Sequence, residues 1–172
     1  DREVSEGQYE ELIRNKTGSL FGAATEIGAG LNGGGKQPRR RELFRRFGEV
    51  VGVAFQIVDD LFDYQSAVDT TGKPVGHDLA EGKVTLPLIP ALRNPGTRDG
   101  RRLRALASRK RWTFAQWEQL KALIEEAGGF AYARQRAEQL AADARDILSV
   151  EPPSPVRRAL EDAVDYSIRR TH

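Results

Sequence analysis

"GEVVGVAFQIVDDLFDY", residues 48–64, is the stretch on which the fold turns. From Val50 to Phe62 its only polar side chains are Gln56, Asp59 and Asp60. A helix built from it must be covered by protein on most of its faces. Residues 56, 59, 60 and 63 fall at helical intervals of three and four, so Gln56, Asp59, Asp60 and Asp63 form one stripe. A lone ionised carboxylate loses roughly several kcal/mol when taken out of water. Three of them so close repel one another, and pairing with arginine would leave part of the cluster unmatched. A divalent cation suits the stripe better.

Outward from this helix, the chain reads as further helices. Pro38 suits the first turn of a long helix through "RRRELFRRFGEVVGVAFQIVDDLFDY", with Leu43, Phe47, Val50, Val51, Ala54, Val58, Leu61 and Phe62 at the helical period. Upstream, "SEGQYEELIRNKTGSLFGAATEIGAGL" opens with Ser5 and Gln8 in capping-box spacing. It places Tyr9, Leu12, Ile13, Leu20 and Phe21 at helical intervals, with a bend expected at Gly18. "NGGGKQ" is a loop by composition, and "QSAVDTTGKPVGHDLAEGK" lacks any amphipathic period and reads as a long ordered loop.

"TLPLIPALRN" predicts a short helix closed by an "NPG" turn, and "TRDGRRLRALASRK" another helix. "TFAQWEQLKALIEEAGG" pairs Thr113 with Gln116 as a capping box, and puts Trp117, Leu120, Leu123 and Ile124 on one face. "FAYARQRAEQLAADARDILSV" is rich in helix formers and stops before "EPPSP", where Ser154 and Pro155 start a last helix. No strand-like alternation and no internal repeat emerge. The predicted class is all-α, and one domain is expected from 172 residues.

Composition narrows the chemistry. The chain has no cysteine and two histidines, His77 and His172, which excludes thiolate sites and a histidine-based zinc centre. Any metal is bound by oxygen, which favours Mg²⁺, an ion that usually shares its coordination with water and substrate phosphates. Twenty-seven basic against 25 acidic residues give a net charge of +2. The basic runs "PRRRELFRR" and "RDGRRLRALASRKRW" have no aromatic interleaving and read as solvated helix faces, not as a nucleic-acid surface. No apolar run reaches the roughly 18 residues of a membrane span, and "DREVSEGQYE" lacks the features of a signal peptide. A cytoplasmic protein without stable membrane insertion is expected.

A phosphate ligand is suggested by the loop after the carboxylates. Lys73 and Lys83 sit there among Gly72, Gly76 and Gly82, placing two ammonium groups just beyond Asp63. Lys16 and Thr17, mid-way along helix one, offer a further cation and a hydroxyl. Together with the stripe they describe a magnesium–diphosphate site.

In that order, "KTGSLF" (16–21), "GEVVGVAFQIVDDLFDY" and "GKPVGHDLAEGKVTLPL" (72–88) resemble the C-terminal half of the trans-isoprenyl diphosphate synthases. Their second Asp-rich motif is matched in full. "GGFAYARQRAEQLAADARDIL" and "YSIRR" are similar to the medium- and long-chain bacterial members, such as octaprenyl diphosphate synthases. The resemblance implies an antiparallel helix bundle of the isoprenoid synthase type, present here as its C-terminal portion. It implies a trans-prenyltransferase that adds isopentenyl diphosphate head-to-tail to an allylic prenyl diphosphate, with Mg²⁺ as cofactor, and a homodimer.

By the same resemblance Asp59 binds metal directly, and Asp60 and Asp63 bind or orient its waters. Lys16 and Lys73 hold the allylic diphosphate, and Lys83 lies near it. Thr17 and Gln56 present oxygen dipoles to the allylic cation, and Phe55 packs beside the isopentenyl tail. The carboxylates are expected to face a polar cavity.

The family's first Asp-rich motif is not found in these residues. Glu161, Asp162 and Asp165 come nearest in spacing, but they fall in the wrong order along the chain and read as a solvated face. Negligible condensation by these 172 residues alone is therefore expected. Two other readings remain at this point: a partner subunit of a heteromeric synthase, and a terpene cyclase of the same fold.

Overall fold

The computed structural model describes residues 4–31, 37–65, 76–93 and 96–169. Among them there are helices and no strand. Helix α1 spans Glu6–Ile13 and α2 spans Ser19–Gly30, joined without a break by a π-helical turn, Arg14–Gly18. The long α3 covers Pro38–Gln65, and two short helices follow, α4 (His77–Ala80) and α5 (Leu88–Ala91). The chain continues through α6 (Arg98–Ala107), α7 (Phe114–Glu126), α8 (Gly129–Leu148) and α9 (Pro155–Arg169).

The helix ends form for the expected local reasons. Ser5 and Gln8 bond reciprocally, the Gln8 amide donating to the serine hydroxyl and the Ser5 amide to the glutamine side chain. Thr113 and Gln116 make the same box at the start of α7. Thr97 caps α6 by accepting from the Gly100 amide at 2.9 Å. Each such cap contributes about 1 kcal/mol.

Two compact units divide the residues. One comprises Glu10–Val58 with Arg136–His172, the other Asp1–Tyr9 with Asp59–Gln135. The core of the first gathers Phe44, Phe47 and Val51 from α3, Ala141, Ala144 and Leu148 from α8, and Val164 from α9. Each phenylalanine buried there contributes about 1.5–3 kcal/mol. The alanines of α8 leave no protruding side chain, so neighbouring helices can approach closely.

In this unit α2 and α3 meet at close range. A Cβ added at Gly48 would lie 2.4 Å from the Phe21 carbonyl oxygen and 2.2 Å from the Thr25 hydroxyl. Only glycine fits there. The Thr25 hydroxyl spans the crossing to the Phe44 carbonyl at 2.6 Å.

The π turn explains a difference from the expected face of helix one. Leu20, seven residues after Ile13, is 69% exposed, while Ile13, Gly18 and Gly22 are buried. The spacing from Ile13 to Gly18 is five, the period of a π turn, and from Gly18 to Gly22 it is four. This extra residue carries the buried stripe onto the glycines, and the leucine two positions further on points away. Gly18 itself keeps helical dihedrals (φ −56°, ψ −43°).

The second unit is built around aromatic rings. Tyr64 stacks on Trp117 with centroids 5.8 Å apart and planes 8° off parallel, and Phe130 meets Tyr64 edge-on at 5.5 Å. Around them Leu79, Leu86, Leu88, Leu103, Leu120 and Ile124 are fully buried. The Tyr64 hydroxyl bonds to the Thr85 hydroxyl at 3.1 Å, which satisfies a polar atom inside this core.

The stretch expected as loop throughout contains one helical turn, α4. Gly76 precedes it in the left-handed region (φ 65°, ψ 44°), with the Trp117 ring 2.3 Å from where a Cβ would be. A four-residue helix has no room for an amphipathic repeat, so periodicity could not reveal it.

Candidate functional site

Helix α3 puts the predicted carboxylates on one stripe, and their surroundings differ sharply. Asp59 is exposed, Asp63 is half-buried, and Asp60 is buried with 4% of its surface accessible. The expectation that all three face an open polar cavity thus needs correcting for Asp60. Its carboxylate is taken inside the protein and accepts a hydrogen bond from the Tyr9 hydroxyl at 2.7 Å.

Tyr9 is buried too, which pushes its hydroxyl far above the ordinary tyrosine range, and the charge of Asp60 and the bond to it add to the rise. The phenol therefore stays protonated and donates. Sequence reasoning counted Tyr9 as a core residue and missed this role. The available signal was the hydroxyl itself, since a buried tyrosine nearly always needs a polar partner.

Asp63 is gripped by the backbone. The His77 amide donates to Oδ1 and the Asp78 amide to Oδ2, each at 3.1 Å. Burial raises its carboxyl above the usual aspartate range, with the Asp78 amide opposing that rise, the Asp78 charge adding to it and the His77 amide opposing it again. Sequence periodicity carries no signal for these amide partners, because they depend on α4.

Lys83 lies in an exposed cluster. Its ammonium is 2.7 Å from a carboxylate oxygen of Asp78 and 2.7 Å from one of Glu81. Hydrogen bonds to Asp78 and Glu81 hold its pKa well above the usual lysine value, so it remains a cation. His77, Asp78 and Glu81 bring possible ligand atoms within 4.8 Å of one another. Two of the three are already paired with Lys83, so this group reads as an ion-pair cluster. Lys73 lies outside the described residues.

In the unit that contains the π turn, the Thr17 hydroxyl donates to Oε1 of Gln56 at 2.7 Å. Thr17 is part-buried and Gln56 is 7% exposed, so the bond is shielded from competing water. Lys16, beside Thr17 on the same turn, is exposed. π turns recur at functional positions, and nothing in the composition of "RNKTG" announces one. Phe55 is half-buried and packs its ring on Phe21, centroids 5.4 Å apart.

Glu161 and Asp165 bear out the solvated-face expectation, since they pair with Arg157 and Arg145 respectively. A surface groove of about 470 Å³ beside Thr25, Arg40 and Val156 is lined by none of the predicted site residues.

An all-oxygen donor set with one exposed carboxylate fits a hard divalent cation that keeps several waters. Asp59 is the exposed carboxylate of the stripe.

Known proteins carry the same arrangement of sequence. The sequence model of the polyprenyl synthetase family matches residues 1–126. The chain is 41% identical over 163 residues to nonaprenyl diphosphate synthase of Mycobacterium tuberculosis, covering 95% of this chain and 48% of that protein. It is 33% identical to octaprenyl diphosphate synthase of Escherichia coli, covering 99% of this chain and 52% of that one. Among solved structures, a polyprenyl synthase from Caulobacter crescentus complexed with calcium and isoprenyl diphosphate superposes with a TM-score of 0.85. That structure is 35% identical, and the match covers 99% of this chain and 51% of the other. The chain thus spans about half the length of the relatives it matches.

Proposed function

Because this chain belongs to the polyprenyl synthetase family, we propose that it acts in prenyl chain elongation, adding isopentenyl diphosphate head-to-tail to an allylic prenyl diphosphate. The single observation that carries this reading is the α3 stripe. It combines an exposed Asp59, a buried Asp60 held by Tyr9 and a Gln56 held by Thr17.

Mg²⁺, when bound, would neutralise charge that develops on the departing diphosphate. Asp59 would hold it, and Asp60 and Asp63 would complete the acidic stripe around it. Lys16, Lys73 and Lys83 contact the allylic diphosphate, and a lysine that stays cationic is suited to the charge that grows there as the carbon–oxygen bond breaks. Thr17 fixes the amide of Gln56, so its dipole is oriented before the allylic cation forms and needs no reorganisation at that moment. Phe55 offers apolar surface to the isopentenyl tail. The released diphosphate takes the proton lost after condensation, and no side-chain base is assigned.

Among the described residues no helix is long and apolar enough to cross a membrane. The family resemblance supports a cytoplasmic homodimer. Only one Asp-rich motif of the required pattern is present in these 172 residues, so negligible elongation is expected of them alone.

The test is product analysis with the full product of the natural gene, Mg²⁺, an allylic diphosphate and isopentenyl diphosphate. A longer linear diphosphate, lost in Asp59→Ala, is the expected result. A hydrocarbon or cyclic alcohol would replace elongation by cyclisation. Activity that appears only with a second, homologous polypeptide would make the chain a partner subunit.

A further inference from the structure

The bonds around Asp63 form a relay that ends at Lys83. Helix α4 begins after Gly76, which has no side chain with which to cap it. Orphan amides at the start of a helical turn ordinarily bond to the side chain of the capping residue. Here the Trp117 ring occupies the space where any side chain at Gly76 would go. The carboxylate of Asp63, 14 and 15 residues away, takes over and accepts from the His77 and Asp78 amides, one oxygen each at 3.1 Å. One turn on, Asp78 and Glu81 hold the Lys83 ammonium at 2.7 Å, and the Lys83 amide donates to the Asp78 carbonyl at 2.9 Å.

We propose that Asp63 is a positioning residue for Lys83. It sets the bearing of α4 through two amides, and α4 in turn sets the ammonium. The third acid of the stripe then serves the diphosphate through the backbone, while Asp59 serves the metal. A carboxylate is required because both of its oxygens accept, whereas a carboxamide has one acceptor and turns an NH₂ toward the other N–H. Leu79, 1% exposed, anchors α4 in the core by its side chain, so loss of the amide bonds reorients the turn without unfolding it. This inference rests on the reading of Lys83 as a diphosphate contact.

The experiment uses the full product of the natural gene. Mn²⁺ affinity is measured by electron paramagnetic resonance and inorganic diphosphate affinity by calorimetry. The variants are Asp59→Asn, Asp63→Asn, Lys83→Ala and the Asp63→Asn/Lys83→Ala double, with amide exchange followed over residues 76–84. In Asp63→Asn, Mn²⁺ affinity should fall by less than it does in Asp59→Asn, diphosphate affinity should fall about tenfold, and exchange at 77 and 78 should quicken. The double variant should bind diphosphate no worse than Lys83→Ala, since the two residues act in series. An Mn²⁺ loss in Asp63→Asn as large as in Asp59→Asn overturns the proposal, as do fully additive effects or unchanged exchange. Weakened diphosphate binding in Lys83→Ala but not in Asp63→Asn overturns the positioning role alone. Unchanged binding in Lys83→Ala overturns the reading of the site, and the positioning role with it.

Discussion

The front of α3 and its last turns are buried by opposite means. Around Gly48 the helix is covered because atoms are missing, and Phe21 and Thr25 of α2 come too close for any Cβ. Around Asp60 it is covered because partners have been added, with Tyr9 on Asp60 and two amides on Asp63. Close packing tolerates almost no change of volume. A polar site instead tolerates little change in donors and acceptors. One helix can therefore be rigid at one end for steric reasons and specific at the other for hydrogen-bonding reasons.

Substitutions at the two ends should separate these causes. Gly48→Ala should have the largest effect, a loss of about 3 kcal/mol in urea unfolding, because the new methyl must displace backbone. The sign is informative here. In an uncrowded helix the same change would gain about 1 kcal/mol, so a stabilised variant would refute the close approach.

Tyr9→Phe keeps the ring and removes only the donor to Asp60. It should cost about 2 kcal/mol, as expected for a buried bond to a charged acceptor. A cost below about 0.5 kcal/mol, typical of a surface change, would mean that the hydroxyl does not hold Asp60.

Thr17→Val preserves shape at the π turn and should cost about 1 kcal/mol by removing the bond to Gln56. Thermal unfolding with Gln56→Leu and the double variant tests this, since the paired loss should be smaller than the sum if the bond is real.

The smallest effect belongs to the solvated face. Bonding to Arg145 lowers the pKa of Asp165 below the ordinary aspartate value. Its contribution is thus present above the unfolded aspartate pKa and is lost as pH falls through the folded one. The aspartate side chain is 39% exposed, so solvent screening limits Asp165→Asn to about 0.5 kcal/mol or less at neutral pH. The difference from wild type should vanish in acid, and a gap that persists there would assign the effect to packing.

What was legible in the sequence had a local cause. Ser5 with Gln8 and Thr113 with Gln116 announce helix starts because the capping partners lie three residues apart. The acid stripe was legible because α3 keeps a strict helical period from Gln56 to Asp63. The donor to Asp60 was not, because Tyr9 reaches it over 51 residues of sequence. Nor were the amides on Asp63, which belong to a turn too short to have a period. Leu20 was grouped with Ile13 at helical intervals for a related reason, since an α-helical count across Arg14–Gly18 misses the extra residue of the π turn.

That turn also has a meaning in the genetics of the protein. A π turn is a helix that has absorbed one surplus codon. Deleting a single codon between Arg14 and Gly18 would restore an ordinary helix and leave the residues before and after it on their faces, because the spacing from Ile13 to Gly18 would shrink from five to the four of an α-helix. Only the side chains inside the turn would be re-aimed, and Thr17 would lose its bond to Gln56 although it had not been substituted. The surplus residue thus aims the side chains within the turn, while the helices before and after it keep the packing they would have without it.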